Sequence, residues 1–475
     1  MVGLLGLEKI LYSDPSIKYS GLKSLKIEES KSTLSIPKDW TLKLPNLESM
    51  EIAGSPSAEV VFDLEELKVS GEVEILSRLS TLALSKLPNL QRTLKQDVQL
   101  QGISIFRNLK ELSVCETRLS FLFPVSVAKC LREIEDIKVE DCPNMKTVIV
   151  DEEGIDDIIE LPLQKRLSIT RYPTEKFFSY PHRKKELVTT TSYRKMLISI
   201  PSLIKSCSAT TLEKLESLWI SNCEQMKEVV PKEIAKGDDE SSQLLFNEMA
   251  RFPNIRKLQI EGVRCKELWN NQIPYDSFCK LEFLRLEHYD NLLCIAPSHM
   301  WKRPQLCLDF LEVRSCRLVK SIYKSDGTDT KSGKLRRLAL HDLENLRHPF
   351  PNLRYVEVVR CSHLEILFTT FMAKFLGQIE ELIVESCEDI KLIAGHKECE
   401  EAAGTTITFS ELTAFRLFEL PKIRRILAEK YSGEFPSLQV FCMVSRGMAP
   451  DRGLDDWERY QARKWFDFMK YGFEE

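Results

Sequence analysis

The sequence predicts an α/β solenoid, in which stacked short strands form one parallel concave sheet and short helical or irregular segments line the convex side. Three observations point there. An apolar pattern, L-x-x-L-x-(I/V/L)-x-x-(C/L)-x-x-(L/M/I), returns about every 25 residues, with irregular spacing, about fifteen times. The 475-residue chain has no long Pro/Gly/Ser-rich linker that would separate globular domains. A block spanning 121–142 also recurs without gaps at 366–387.

In each copy the L-x-(I/V/L) unit reads as a short strand, its two apolar side chains pointing one way and the polar residues around them the other. Such a strand has too little apolar surface to fold alone. Stacked copies merge their apolar ladders into a continuous core, which is the logic of the leucine-rich repeat. Clear copies place their strand pairs at Leu112/Val114, Ile137/Val139, Leu218/Ile220, Leu258/Ile260 and Leu284/Leu286. Others stand at Leu311/Val313, Leu338/Leu340, Val356/Val358, Leu382/Val384 and Phe415/Leu417. Cys142, Cys223, Cys316, Cys361 and Cys387 each come three residues after the second strand hydrophobe. At that position a small, weakly polar side chain points into the stack, so buried structural thiols are expected.

The shared Leu-Phe, Ala-Lys and Val-Glu pairs of the duplicated block predict a helical turn between strands. Rhythm is lost around 172–211, where His182-Arg-Lys-Lys185 and Thr189-Thr-Thr-Ser192 read as a solvated loop or a degenerate repeat. Residues 232–242 read as a second loop. The solenoid is thus expected over 1–448. In the remaining 449–475, Leu454, Trp457, Tyr460, Trp465 and Phe468 can share one helical face, suited to a terminal cap or tail or to a partner-binding helix.

Composition narrows the function. Hydrophobic residues make up 43% of the chain and charged residues 29%, ordinary for a folded chain with a large core. The net charge of −4 comes from 67 basic and 71 acidic residues spread along the chain, so no strong field draws nucleic acid or an anionic membrane. No apolar run is long enough to span a membrane, and Met1–Leu7 is a poor signal peptide. The 14 cysteines include no CxxC, which argues against a zinc ribbon or a redox pair and points to a cytoplasmic chain with reduced thiols.

No G-x-S-x-G elbow and no H-E-x-x-H motif occurs, so no catalytic residues, cofactor or metal are expected. His341-Asp342 and Cys361-Ser-His363 are accounted for by their places in the repeat. What remains is a binding surface. The central outward column runs Ser113, Lys138, Trp219, Gln259, Arg285, Glu312, Ala339, Glu357, Ile383 and Arg416. The column before it contains Phe283, Phe310, Arg337 and Tyr355; the one after it contains Arg314, His341, Val359 and Phe418. Outward strand positions are ordinarily small or polar. Trp219, Phe283, Phe310, Tyr355 and Phe418 beside Arg285, Arg314 and Arg416 therefore read as interface anchors or as side chains packed on their neighbours.

The stretches LFPVSVAKCLREIEDIKVEDCPNMKTV, LEKLESLWISNCEQMKEVV and FPNLRYVEVVRCSHLEILF resemble the repeats of plant intracellular immune receptors of the coiled-coil, nucleotide-binding, leucine-rich-repeat class. The resemblance runs from about residue 20 to 445. It implies a region that senses a pathogen effector, directly or through a guarded host protein, and restrains a nucleotide-binding module of the same receptor. An adaptor or substrate-recognition subunit unrelated to immunity is the alternative; an F-box-like segment at the amino end would favour it, but Met1 to Gly21 is too short to hold one. The nucleotide switch itself has no counterpart here, because Gly327-Thr-Asp-Thr-Lys-Ser-Gly333-Lys334-Leu335 has one residue too many between glycines and Leu where a hydroxyl is needed. Isothermal calorimetry with ATP or ADP and Mg²⁺ is accordingly expected to show no binding by this chain; micromolar affinity would refute that reading.

Overall fold

The computed structural model describes 19–28, 36–37, 41, 44–64, 73–95, 103–145, 149–150, 165–171, 176–178, 202–204, 214–229, 244–297, 307–324, 335–343, 353–368, 376–394, 405–427 and 431–444, with breaks of one or two residues in 214–229 and 244–297. The predicted loop at 232–242, the tail at 449–475 and the Gly327–Lys334 loop lie outside the described residues. The chain divides into two compact units, 1–352 and 353–475.

Among the described residues there are fifteen repeat strands. The first unit contains β1 Ser24–Glu28, β2 Ser49–Ala53, β3 Thr81–Leu87, β4 Glu111–Thr117, β5 Asp136–Glu140, β6 Arg166–Thr170, β7 Ser217–Ser221, β8 Lys257–Glu261, β9 Phe283–Glu287, β10 Phe310–Arg314 and β11 Arg337–His341. The second contains β12 Tyr355–Val359, β13 Glu381–Glu385, β14 Ala414–Phe418 and β15 Val440–Val444. Within each unit they pair in parallel in that order. Each strand named above from the sequence is among them, and β1, β2, β3, β6 and β15 complete the series.

Every pairing aligns core position on core position: Leu258, Leu284 and Leu311 stand in one row, and Ile260, Leu286 and Val313 in the next. Side chains at the second and fourth residue of each strand point inward, giving the alternating burial of Phe283–Glu287. Leu284 and Leu286 are both buried, and each such side chain contributes roughly 1.5–3 kcal/mol. The chain length between aligned core residues is free to vary, because only the strands must match. It is 25 residues from Leu25 to Met50 and 51 from Leu167 to Leu218. The longer span contains the predicted break at 172–211, where two short strands, Lys176–Phe178 and Ser202–Ile204, join Phe123–Pro124 and Ile149–Val150 in a separate four-stranded sheet.

The opposite side of the repeats is more strand-like than the sequence pattern suggests. Short parallel pairs such as Leu244–Phe246 with Glu267–Trp269 recur there. Helical geometry is restricted, among the described residues longer than one residue, to Val125–Ala128 and a 3₁₀ turn at Leu376–Gln378. Aromatic rings fill this layer: Phe246 lies 5.3 Å from Trp269 and 5.1 Å from Phe278, and Trp269 meets Phe278 edge-on at 4.6 Å.

The turn after each strand explains the spacing of three. The N–H of the third residue on reaches back to close a turn, as in Met226 to Cys223, Val319 to Cys316 and Leu364 to Cys361. The five motif cysteines are all buried in these turns. Cys316 Sγ donates to the Arg314 carbonyl at 3.2 Å, and Cys223 makes the equivalent bond to Ser221 at 3.3 Å. Burial pushes the Cys316 thiol up to about 12, so it stays a neutral packing group.

The residue after the strand has positive φ: Asp141, Asn222, Ser315, Arg360 and Ser386, each just before a motif cysteine, adopt this left-handed conformation, as do Gly262 and His288 at the same position of repeats that lack the cysteine. It aims the backbone N–H at the next repeat: Asn222 donates to Glu261, Gly262 to Glu287 and His288 to Arg314. A Cβ on Gly262 would lie 2.6 Å from Asn222 Oδ1 and 3.1 Å from Asn222 Cα. Gly262→Ala is therefore expected to destabilise the first unit by about 1–3 kcal/mol through strain and displacement of Asn222. Gly21→Ala, with nothing within 4 Å, is expected to melt like the parent. Leu284→Ala sets the scale for a core loss, about 2–5 kcal/mol in chemical denaturation.

Candidate recognition face

The odd-numbered strand positions form an open sheet face, and its contents differ between strands. On β7, Trp219 pairs with Ser168 of β6 and Gln259 of β8, and Ser217 and Ser221 flank it along its own strand. Small neighbours cannot cover an indole, so Trp219 remains 41% exposed. Ser221 Oγ donates to Glu261 Oε2 at 2.7 Å and accepts from Asn222 Nδ2 at 3.0 Å, which fixes the polar rim of the ring.

Strands β9 to β11 carry a different surface. Phe283 and Phe310 are register partners and pack edge to face with centroids 5.3 Å apart. Arg337 lies over the Phe310 ring at 5.3 Å. Beside them Arg285 reaches Glu287 at 2.9 Å and Glu312 at 3.6 Å, and Arg314 also pairs with Glu312. The carboxylate of Glu312 is 8% exposed, yet it sits between two guanidiniums, so its charge is compensated. The register demands this arrangement: Arg285 faces Glu312, and Glu287 faces Arg314.

In the second unit Tyr355 starts β12 and donates its hydroxyl to Glu357 Oε2 at 2.9 Å. Burial, reinforced by the Glu357 and Glu381 carboxylates, raises the phenol well above its ordinary value. Arg416 of β14 pairs with Glu381 of β13. Phe418 is half-buried and stands in register with Glu385.

The structure thus joins Phe283, Phe310, Arg285 and Arg314 into one cluster. Trp219 lies two strands away from it, about 10 Å at ordinary strand spacing. Tyr355, Arg416 and Phe418 form a set of their own in the second unit. All but Trp219 are engaged with a neighbour or half-buried. The acidic partners Glu287, Glu312, Asp309, Glu357 and Glu381 do not stand out as anchors in the sequence. A signal for them is present all the same, since Arg285 and Glu312 are consecutive in the central outward column. Among the described residues no His/Cys/Asp/Glu group is placed to hold a metal ion, and no helix is long and apolar enough to cross a membrane.

In-register parallel strands with repeating buried Leu, Ile and Cys define a leucine-rich-repeat protein with a solvent-facing sheet. The family model of plant disease resistance protein RPS2-like leucine-rich repeats matches residues 5–143, 254–388 and 350–444, well over half of the chain. The chain belongs to this family. The match leaves out 144–253, where Trp219 lies. No curated protein matches the chain by sequence. Among solved structures, the TLR13–ssRNA13 complex is 14% identical, with a TM-score of 0.30, and the alignment covers 88% of this chain and 62% of that one. The plant peptide hormone receptor RGFR1 in complex with RGF2 is 15% identical, with a TM-score of 0.22 and coverage of 89% and 78%. PEPR1–AtPEP1 is 12% identical, with a TM-score of 0.23 and coverage of 89% and 72%.

The pair at the start of β10 and β11 has a pH signature. Asp309 accepts from Arg337 and Arg336, each at 2.6 Å. Partial burial pushes its carboxyl up, but these two bonds outweigh burial and hold it below the ordinary 3.8. The charged form is the one favoured by folding, so the stabilisation is present above 3.8 and is lost as pH falls through the lower folded value. Asp309→Asn is expected to lower the melting temperature at pH 7, with the gap to the parent closing as pH falls below 3.8 and through the lower folded value. A gap that persists at low pH would assign the loss to packing instead.

Proposed function

We propose that this chain is the protein-recognition region of a plant immune receptor. It senses a pathogen effector, directly or through a guarded host protein, and restrains the nucleotide-binding module of the same receptor. It works in the cytoplasm, binds no cofactor and catalyses nothing. Family membership supports the setting.

The observation that carries the recognition reading is Trp219. It is a large aromatic on an open sheet face, ringed by Ser168, Ser217, Ser221 and Gln259, and it fills no part of the core. Aromatic anchors of this kind supply contact area with few rotamers to freeze. The cluster at Phe283, Phe310, Arg285 and Arg314 supplies a preformed, charge-neutral surface beside it. Its ion pairs are already made, so it favours a partner by shape and selects against partners that would strand a charge. Phe418, Tyr355 and Arg416 form a separate candidate contact surface on the second unit.

Trp219→Ala is expected to leave the melting temperature within a degree or two and to weaken binding to an effector or guarded host protein by about 2 kcal/mol. In a receptor with its nucleotide module, the same change is expected to shift either effector response or resting restraint. Phe283→Ala and Phe310→Ala are expected to cost both stability and binding, because the rings pack on each other. If Trp219→Ala binds the partner with parental affinity per folded molecule, the contact lies elsewhere.

A further inference from the structure

Two of the five motif cysteines stand side by side in the second unit. Cys361 follows β12 and Cys387 follows β13 at the same offset, and the register of the strands carries into their turns, where the Arg360 N–H donates to the Glu385 carbonyl at 2.9 Å. The two side chains therefore meet across adjacent repeats. Cys387 Sγ lies 3.4 Å from the Cys361 nitrogen and 3.8 Å from the Val358 carbonyl oxygen, both in the repeat of Cys361. The other motif cysteines face different neighbours among the described residues: Cys142 meets Thr117 Oγ1 at 3.3 Å, Cys316 stands beside Tyr289, and Cys223 stands beside Val263 at the same offset. Only at Cys361 and Cys387 does thiol face thiol. Both are buried, yet Arg360, His363 and Glu388 next to them in sequence are exposed, so the pair sits in the flank of the solenoid and not at its centre. His363 and Asp389, each two residues further on, pair at 3.3 Å and bridge the same two turns.

We propose that Cys361 and Cys387 are a redox site: a hydroperoxide converts them to a cross-repeat disulfide, and a dithiol reductant returns them to thiols. The spacing suits the bond. Strands in register lie about 4.8 Å apart, inside the roughly 4.4–6.8 Å between Cα atoms that a disulfide spans, so no repeat has to move. Cys387 is the sulfur that reacts first, because the Cys361 thiol and then the Cys361 N–H donate to it and hold it below its ordinary 9.0 although burial opposes them. Its sulfur attacks one peroxide oxygen, the O–O bond breaks, and the leaving hydroxide takes up a proton as water; Cys387 becomes a sulfenic acid. The Cys361 sulfur then attacks the Cys387 sulfur, the S–O bond breaks, and a second water leaves with the Cys361 proton. Two electrons have passed from the two sulfurs to the peroxide. A dithiol supplies two electrons and two protons in the reverse direction and closes to its own disulfide. The bond would tie residues 26 apart and fix β12 on β13, the strands that carry Tyr355, Glu357 and Glu381.

Hydrogen peroxide added to the reduced, folded full chain tests this, followed by alkylation with iodoacetamide in denaturant and tryptic peptide mass spectrometry without reductant. Peptides 361–374 and 375–391 are expected to appear joined by a disulfide in most molecules, with Cys142, Cys223 and Cys316 oxidised at least tenfold less. Dithiothreitol is expected to return both cysteines to the alkylated pool with parental far-UV circular dichroism. In Cys361→Ser the link is lost and Cys387 is expected to persist as a sulfenic acid that dimedone captures, since the thiol that resolves it is gone. Full alkylation of Cys361 and Cys387 after peroxide overturns the proposal and leaves them as packing groups. Linkage that forms only in urea, or that spreads over other cysteines in comparable yield, also overturns it, because folded geometry would not be directing the bond. So does a link found only in a dimer band on a non-reducing gel, which would assign it to two copies of the chain. None of these outcomes depends on Trp219 or on the identity of any recognised partner.

Discussion

Each repeat strand of this chain depends on an in-register neighbour. A five-residue strand offers two inward side chains and cannot shield them itself, so burial of Leu284 and Leu286 requires Leu258 and Ile260 on one side and Leu311 and Val313 on the other. A shift by one residue would turn the charged open-face residues into the core. The left-handed residue after the strand serves the same constraint by sending its N–H into the next repeat. Positive φ at bulky Arg171 and Glu419, whose N–H groups reach the Ser221 and Val444 carbonyls, shows that the cross-repeat hydrogen bond outweighs the local conformational cost.

The same register governs the open face. Residues that lie apart in sequence become neighbours at fixed offsets, so charges on adjacent repeats must be compatible. Arg285, Glu287, Glu312 and Arg314 meet this because the register sets Arg285 opposite Glu312 and Glu287 opposite Arg314, with Arg285 bridging Glu287 and Glu312 and Arg314 pairing with Glu312. Strand starts repeat the solution: Glu282 pairs with Arg256, Asp309 with Arg336, and Glu380 with Arg354. Most of these pairs are exposed and individually contribute little. Their effect on recognition is larger than on stability, because they leave a nearly neutral surface in which an uncovered indole stands out.

Much of this is legible in the sequence. The strand pairs from Leu112/Val114 to Phe415/Leu417 can be read because period-two alternation is a local property. The structural role of the five cysteines can be read too, because the turn places them at a constant offset. Two things escape. The repeat at Leu167/Ile169 does not stand out as a clear copy, since residues 172–211 behind it lack the rhythm and the next repeat strand begins only at Ser217. The pattern predicts a helical or irregular back to the repeats, yet most of its described segments pair as strands of two to four residues, too short for any periodicity to show.

The sequence by itself determined the unit of construction, the face of each strand that enters the core, and the membership of the outward columns. Alternation along a strand depends only on backbone geometry, so no neighbour is needed to read it. Tertiary structure decided which outward residues remain available. Phe283 and Phe310 cover each other, Arg285 and Arg314 are held by Glu312, Tyr355 is tied to Glu357, and Trp219 stays open because Ser168 and Gln259 are the residues beside it. Availability depends on side chains brought alongside by 40 to 51 residues of intervening chain, between Trp219 and Gln259 or Ser168, and no local pattern records that distance.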